Sequence, residues 1–225
     1  MGAWHNAPMA DAIPLCEELG IFVEHNFLDE AACLRMRDAI RIAVGKGSGS
    51  GNLPDGLRAV QNYAIAASET APVTARVTLA KVSDLVVREM TKKLRPVLRR
   101  LEAHYHVELR NCSRPRFLLY KPGDYLLPHP DSHHDPNLPE EIRKRRVSAV
   151  VFLNGQSDLP IPGTYDGGYL TFHAVKEHQD QPTRRLNLSG ERGLLVAFPS
   201  TSIHEVTVVT RGERFTAVSW FNADQ

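Results

Sequence analysis

After Cys112 the chain breaks into short apolar runs separated by Gly, Pro, Asp and Asn, and this texture constrains the fold more than any other feature. The runs are Phe117–Tyr120, Val147–Leu153, Gly168–Phe172, Gly193–Phe198, Glu205–Val209 and Phe215–Phe221. Each is short, apolar and bounded by turn residues, so each reads as a strand. Many short strands punctuated in this way suggest an antiparallel sandwich or barrel.

The first half reads differently. Ile21–Val23 suggests a short strand. Asp29 is placed to cap a helix, with Leu28 positioned to staple onto Cys33. Cys33, Met36, Ile40 and Val44 recur at helical spacing and give that helix one buried face. From about Val73 to Tyr105 a longer helical stripe runs through Leu79, Val82, Val86, Met90, Leu94, Val97 and Leu101. Pro96 inside it predicts a kink or a break. Helices before and strands after fit one α+β domain over 1–225. In it 1–112 is mostly helical support with the first strands, and 113–225 is the β core. The helices are expected on the outer face of one sheet.

Composition excludes several function classes. Hydrophobic residues make up 42%, enough for a sizeable core and against disorder. Lys+Arg number 27 against 26 Asp+Glu, so binding nucleic acid or a membrane by bulk charge is not expected. Lys81, Arg88, Lys92, Lys93, Arg99 and Arg100 read as a solvated helix face. Gly45–Gly56 is Gly- and Ser-rich around Lys46 but has the wrong order for a phosphate loop, so a surface loop is expected. Cys16, Cys33 and Cys112 are odd in number and widely spaced, which argues against disulfides or a thiolate zinc site and fits a cytoplasmic protein. No signal peptide and no apolar stretch long enough to span a membrane is visible. Ten histidines, however, raise the question of a metal.

Three stretches carry the chemistry. The first, Tyr120 to Ser132, contains His129-Pro-Asp131, whose side chains fall on one side of an extended chain. The second, Phe198 to Val206, contains His204. The third runs from Gly212 to Phe221, with Arg214, Thr216, Val218 and Trp220 on one strand face and Phe215, Ala217, Ser219 and Phe221 on the other. The first face mixes a cation and a hydroxyl with apolar groups and suits the inside of a ligand-holding barrel. The second suits packing against helices. Two histidines and a carboxylate can occupy one face of an octahedral iron(II) and leave three positions open. The turn at Arg211-Gly212 allows His204 and Arg214 to lie on adjacent antiparallel strands, both facing inward. A buried Arg needs an anion, and its planar fork matches a carboxylate.

Taken in order, these residues resemble the 2-oxoglutarate- and iron(II)-dependent oxygenases, and among them the prolyl-4-hydroxylase-like branch. The matching elements are Tyr120-x-Pro-Gly, His129-x-Asp131, Phe152-Leu153-Asn154, Gly167-Gly168-x-Leu170, Phe198-Pro199, His204-Glu205-Val206 and Gly212-Glu213-Arg214-x6-Phe221, from about Arg116 to Phe221. The resemblance implies a double-stranded β-helix, or jelly roll, with supporting N-terminal helices. It implies His129, Asp131 and His204 as iron ligands and as the catalytic set, with Arg214 on the C5 carboxylate of 2-oxoglutarate. Tyr120 maps beside the cosubstrate, and Trp220 to an aromatic lining the same pocket. Relatives often carry Tyr where this chain has Phe152; Thr216 is placed to supply a hydroxyl instead.

The implied reaction hydroxylates an unactivated C–H of a small molecule or peptidyl residue with dioxygen, releasing succinate and CO2, with ascorbate as reductant. Asp131, replaced by a small residue in halogenating relatives, predicts hydroxylation or a related oxidation. A peptidyl prolyl hydroxylase, a non-catalytic jelly-roll binding or sensing module and a zinc hydrolase are the alternatives; the last would have no use for Arg214. Ser132–Arg146 and Gly155–Asp166 are expected to border the pocket, the first as a lid. His133, His134 and Asp135 read as a polar loop at the mouth. His173 reads as exposed or satisfied, and His5, His25, His104, His106 and His178 have no partners in view. Glu205 should point outward by strand alternation, and Gly167-Gly168 reads as a turn with close packing.

Overall fold

The computed structural model describes residues 19–47, 75–133, 137–173 and 185–224. Most of Gly45–Gly56, and Cys16, His5, His134, Asp135 and His178, lie outside them. The protein is a jelly roll of two facing antiparallel sheets with three helices packed on the outside of the larger one.

The elements run in this order: β1 (Phe22–Glu24), α1 (Glu30–Gly47), β2 (Ala75–Arg76), β3 (Thr78–Ala80), α2 (Asp84–Leu94), α3 (Val97–Tyr105), β4 (Asn111–Cys112), β5 (Arg116–Tyr120), β6 (Tyr125–His129) and α4 (Glu140–Arg143). Then come β7 (Arg145–Phe152), β8 (Asp166–Gly167), β9 (Leu170–His173), β10 (Arg185–Leu188), β11 (Leu195–Pro199), β12 (His204–Val206), β13 (Val209–Arg211) and β14 (Arg214–Asn222). The major sheet is ordered β1-β11-β7-β14-β5-β3, with β4 also pairing β14. The minor sheet is ordered β10-β9-β12-β6-β2, and β13 pairs β8.

α1 starts where the sequence places it. Asp29 Oδ1 accepts the backbone N–H of Ala32 at 2.7 Å and satisfies a donor the first turn leaves open. Cys33, Met36 and Ile40 are fully buried against the sheet. The long helix expected from Val73 does not exist in that form. Ala75–Ala80 forms two edge strands, the helix begins at Asp84, and Leu79 is an exposed strand residue. Leu79 falls in β3 and Val82 in the connection to α2, so their spacing continued the helical stripe by chance. Pro96 does end α2, and α3 restarts at Val97; Val87, Met90, Leu94, Val97 and Leu101 form the buried stripe.

β14 divides the protein's interior. Phe215, Ala217 and Phe221 join the core under the helices, with Met36, Met90, Phe117 and Val151. The other face looks into the space between the sheets, closed at one end by Phe152, Phe172, Phe198 and Leu188. Burial of each large apolar side chain contributes about 1.5–3 kcal/mol, so the helix layer is held chiefly by that first face. No described helix is long and apolar enough to cross a membrane.

Candidate active site

Between the sheets lies a cavity with about 530 Å³ of empty space, its open mouth included. His129, Asp131 and His204 border it at one end, and Arg214 and Thr216 also line it. The cluster is built by strand pairing. His204 on β12 stands opposite His129 on β6, and their ring centroids are 4.5 Å apart. Just beyond β6, the backbone N–H groups of Asp131 and Ser132 both donate to the Ser200 carbonyl, which fixes the carboxylate against the rings. Asp131 Oδ1 is 3.8 Å from His129 Nε2, and Oδ2 is 3.7 Å from His204 Nε2. One ligand atom from each residue fits within a 4.8 Å group, the one such group among the described residues.

The surroundings set the protonation states. His129 Nδ1 donates to the Leu127 carbonyl at 2.8 Å and His204 Nδ1 to the Ser202 carbonyl at 3.0 Å, so each ring turns its Nε2 lone pair toward Asp131. Burial pushes the His204 pKa down to about 4, against the opposing pull of Asp131. Burial raises the Asp131 pKa, but His204 and His129, with hydrogen bonds from Ser148 and Trp220, outweigh it and hold the carboxyl below its usual range. An ionised carboxylate beside the neutral His204 imidazole favours uptake of a divalent cation.

Arg214 is 1% exposed and stacks on the rings of Tyr120 and Phe152, its Cζ 5.0 Å from each centroid. Nη1 donates to Thr216 Oγ1 at 3.5 Å, the long limit of a hydrogen bond. Nε and Nη2 are buried without an acceptor among the described residues. An arginine left this way calls for an anion, and a carboxylate matches its fork. The donor set and the orphaned guanidinium thus fit a metal and a dicarboxylate held in one cavity.

Residues 115–222 match the profile of the 2OG-Fe(II) oxygenase superfamily. The matched segment, just under half of the chain, is similar to that superfamily. It is 32% identical over 109 residues to a PKHD-type hydroxylase from Sphingopyxis alaskensis, a match covering 48% of this chain and 44% of the relative. The chain therefore spans less than half of that curated relative. Its fold is shared with a prolyl-4-hydroxylase from Pseudomonas putida, at TM-score 0.63 and 19% identity over 97% of this chain and 100% of the other. It is shared also with the α-ketoglutarate-dependent carbocyclase SnoK of nogalamycin biosynthesis, at TM-score 0.57 and 14% identity over 97% and 86%. The members' name gives their requirements, iron(II) and 2-oxoglutarate, and as oxygenases they use dioxygen on a substrate.

All seven residues singled out in the sequence border this cavity: His129, Asp131, His204, Arg214, Tyr120, Thr216 and Trp220. Two expectations fail. His204 and Arg214 do not lie on adjacent strands; β12 belongs to the minor sheet and β14 to the major one, and they face each other across the sandwich. Gly155–Asp166 does not border the cavity either. Arg211 holds that loop through the carbonyls of Ser157, Asp158 and Leu159. Glu205 does turn away from the cavity, where it meets His173 at 3.0 Å. His25, expected to lack a partner, hydrogen-bonds Glu191, and His104 packs edge-on against Phe22 and Tyr105.

Several supporting contacts went unseen in the sequence. Ser148 and the Trp220 side chain hydrogen-bond Asp131. Arg145 lies 3.9 Å over the Trp220 ring and donates to the Asp131 carbonyl. Asn154 donates to the carbonyls of Gly163 and Glu213 and accepts the Phe215 N–H, pinning β14 at the residues flanking Arg214. Gly168, at φ +59°, leaves no room for a side chain: a Cβ there would lie 3.0 Å from Arg214 Cδ.

Proposed function

We propose that this protein is an iron(II)- and 2-oxoglutarate-dependent dioxygenase that hydroxylates an unactivated C–H of a small molecule or peptidyl residue. The observation that carries the reading is one cavity holding both a His-Asp-His cluster and a buried arginine with two unsatisfied donors. His129, Asp131 and His204 would hold the metal, and Arg214 the far carboxylate of 2-oxoglutarate. Once bound, iron, 2-oxoglutarate and dioxygen supply an oxidative decarboxylation that yields succinate and CO2 and delivers one oxygen atom to substrate.

The protein's own part is geometry and dryness. Asp131 balances cationic charge. The Leu127 and Ser202 carbonyls orient the two imidazoles. Thr216 lies two residues beyond Arg214 on the same face and supplies a hydroxyl where Phe152 has none. Tyr120 stacks on the guanidinium. Trp220 lines the cavity and steadies Asp131. Val77, Leu118, Leu126 and Val206 give the remaining wall an apolar lining. We take 1–225 as one domain acting in the cytoplasm, with ascorbate keeping the metal divalent.

Substrate is open between the two classes, because this fold serves both a prolyl hydroxylase and a carbocyclase. The test is an aerobic incubation with iron(II), ascorbate and 2-oxoglutarate, with amino acids and metabolites set against proline-containing peptides. The expected outcome is succinate release coupled to a mass gain of one oxygen in one class. Turnover without oxygen, or with zinc in place of iron, would reject the reading in favour of a hydrolase. Binding of 2-oxoglutarate with no succinate from any substrate or alone would favour a sensing module.

A further inference from the structure

Arg214 has a second buried neighbour that does not border the cavity. Tyr165 follows the loop 155–164, is 0% exposed, and its hydroxyl forms no well-aligned hydrogen bond among the described residues. Arg214 Nε and Nη2 are in the same condition. The two side chains share one site. A Cβ on Gly168 would lie 3.0 Å from Arg214 Cδ and 3.4 Å from Tyr165 Cε2, so only glycine at that position lets them meet. The phenol is near enough for the guanidinium charge to oppose the burial that raises its pKa. The far end of Tyr165 is equally enclosed: a Cβ on Gly190 would collide with the Tyr165 hydroxyl and the Phe152 ring. Two guanidinium donors without a well-placed acceptor thus share one enclosed site with a phenol oxygen that the Arg214 side chain and the Gly190 backbone approach only loosely. Buried polar groups seldom stay unpaired without a role.

We propose that Tyr165 is a positioning residue for Arg214, its phenol oxygen accepting a hydrogen bond from Nε or Nη2 and setting the plane in which the guanidinium receives a carboxylate. Thr216 engages Nη1 from the strand side, and Tyr165 engages the opposite part of the fork. Between them the guanidinium has one orientation instead of several. The cavity-facing donors are then pre-aligned, and binding no longer has to freeze the rotation. The inference rests on the proposed role of Arg214 and names a residue that acts through it.

The test uses the full chain and two readouts: steady-state kinetics, and anaerobic titration of 2-oxoglutarate into the manganese(II)-loaded protein. Tyr165→Phe removes one oxygen and no volume. The expected result is a rise of about five- to tenfold in both KM and Kd for 2-oxoglutarate, the worth of one hydrogen bond, with kcat unchanged. Phe152→Tyr on the same background returns a hydroxyl beside the guanidinium and is expected to restore most of the affinity. A lower melting temperature with an unchanged Kd would make Tyr165 structural only and overturn the proposal. So would a double variant as weak as the single one. If Tyr165→Phe does not fold, the double variant decides: a Kd near wild type supports the proposal and a raised one rejects it. Arg214→Met separates the two levels. If it leaves Kd unchanged, the role of Arg214 fails and the inference fails with it. If it weakens binding while Tyr165→Phe does not, only the inference is lost.

Discussion

The two faces of β14 are one residue apart and chemically opposite. Phe215, Ala217 and Phe221 meet the helices in a core made almost wholly of carbon. Arg214, Thr216 and Trp220, buried themselves, line with Asp131 and His204 a cavity that opens at its mouth. The first face is complete in itself, because every group finds what it needs inside the protein. The second is not: a buried guanidinium with open donors and a carboxylate set between two imidazoles leave interactions for something else to satisfy. Residual need in an otherwise well-packed fold marks where ligands belong.

This contrast can be broken from either side. The largest effect is expected on the cavity face: Asp131→Ala or His204→Ala should reduce substrate-dependent succinate release by more than the 10–100-fold typical of a residue behind the ligands. Their melting temperatures should stay close to wild type. Full activity in either variant removes the proposed metal site. On the opposite face the order reverses. Phe215→Ala should cost about 3–5 kcal/mol of stability by denaturant unfolding, with a modest effect on the KM for 2-oxoglutarate in the fraction that folds. If Phe215→Ala costs less than about 1 kcal/mol, the helix layer is not held by this face.

Thr216→Val sharpens the comparison without changing shape. It should raise the KM for 2-oxoglutarate up to about tenfold, as loss of one hydrogen bond would; an unchanged KM discards the role of Thr216. The smallest effect is a slope with pH in the metal-free protein. His204 takes a proton near 6.5 when exposed but resists until about 4 in the fold. Between those values the unfolded chain binds more protons than the folded one. Stability should therefore fall as pH drops from about 6.5 toward 4, and the depressed Asp131 carboxyl extends that fall to lower pH. Denaturant curves at pH 7.5, 5.5 and 4.5 check it. His204→Gln should flatten the upper part of the slope.

Much of the cavity was legible because its residues occur in order on short strands. His129, Asp131, His204 and Arg214 each carry chemistry in their type, and their spacing limits where they can point. What supports them was not. Ser148 and Arg145 reach Asp131 from β7, and nothing in their own neighbourhoods announces it. Tyr165 sits in a turn-rich stretch and gains meaning only because Gly168 and Gly190 leave room for it. The false helix over Ala75–Ala80 shows the same limit, since local periodicity could not see that β2 and β3 pair with β6 and β5.

The sequence by itself determined the division into supporting helices and punctuated strands, the break at Pro96 and the alternation along β14. Those follow from local sterics, from backbone hydrogen-bonding needs and from a side-chain period of two. Only the tertiary structure decided that β12 and β14 lie in opposite sheets, so that His204 and Arg214 meet across a cavity and not along a ladder. That choice belongs to the whole chain. Strand order depends on which faces can be buried together, and no single segment carries that information.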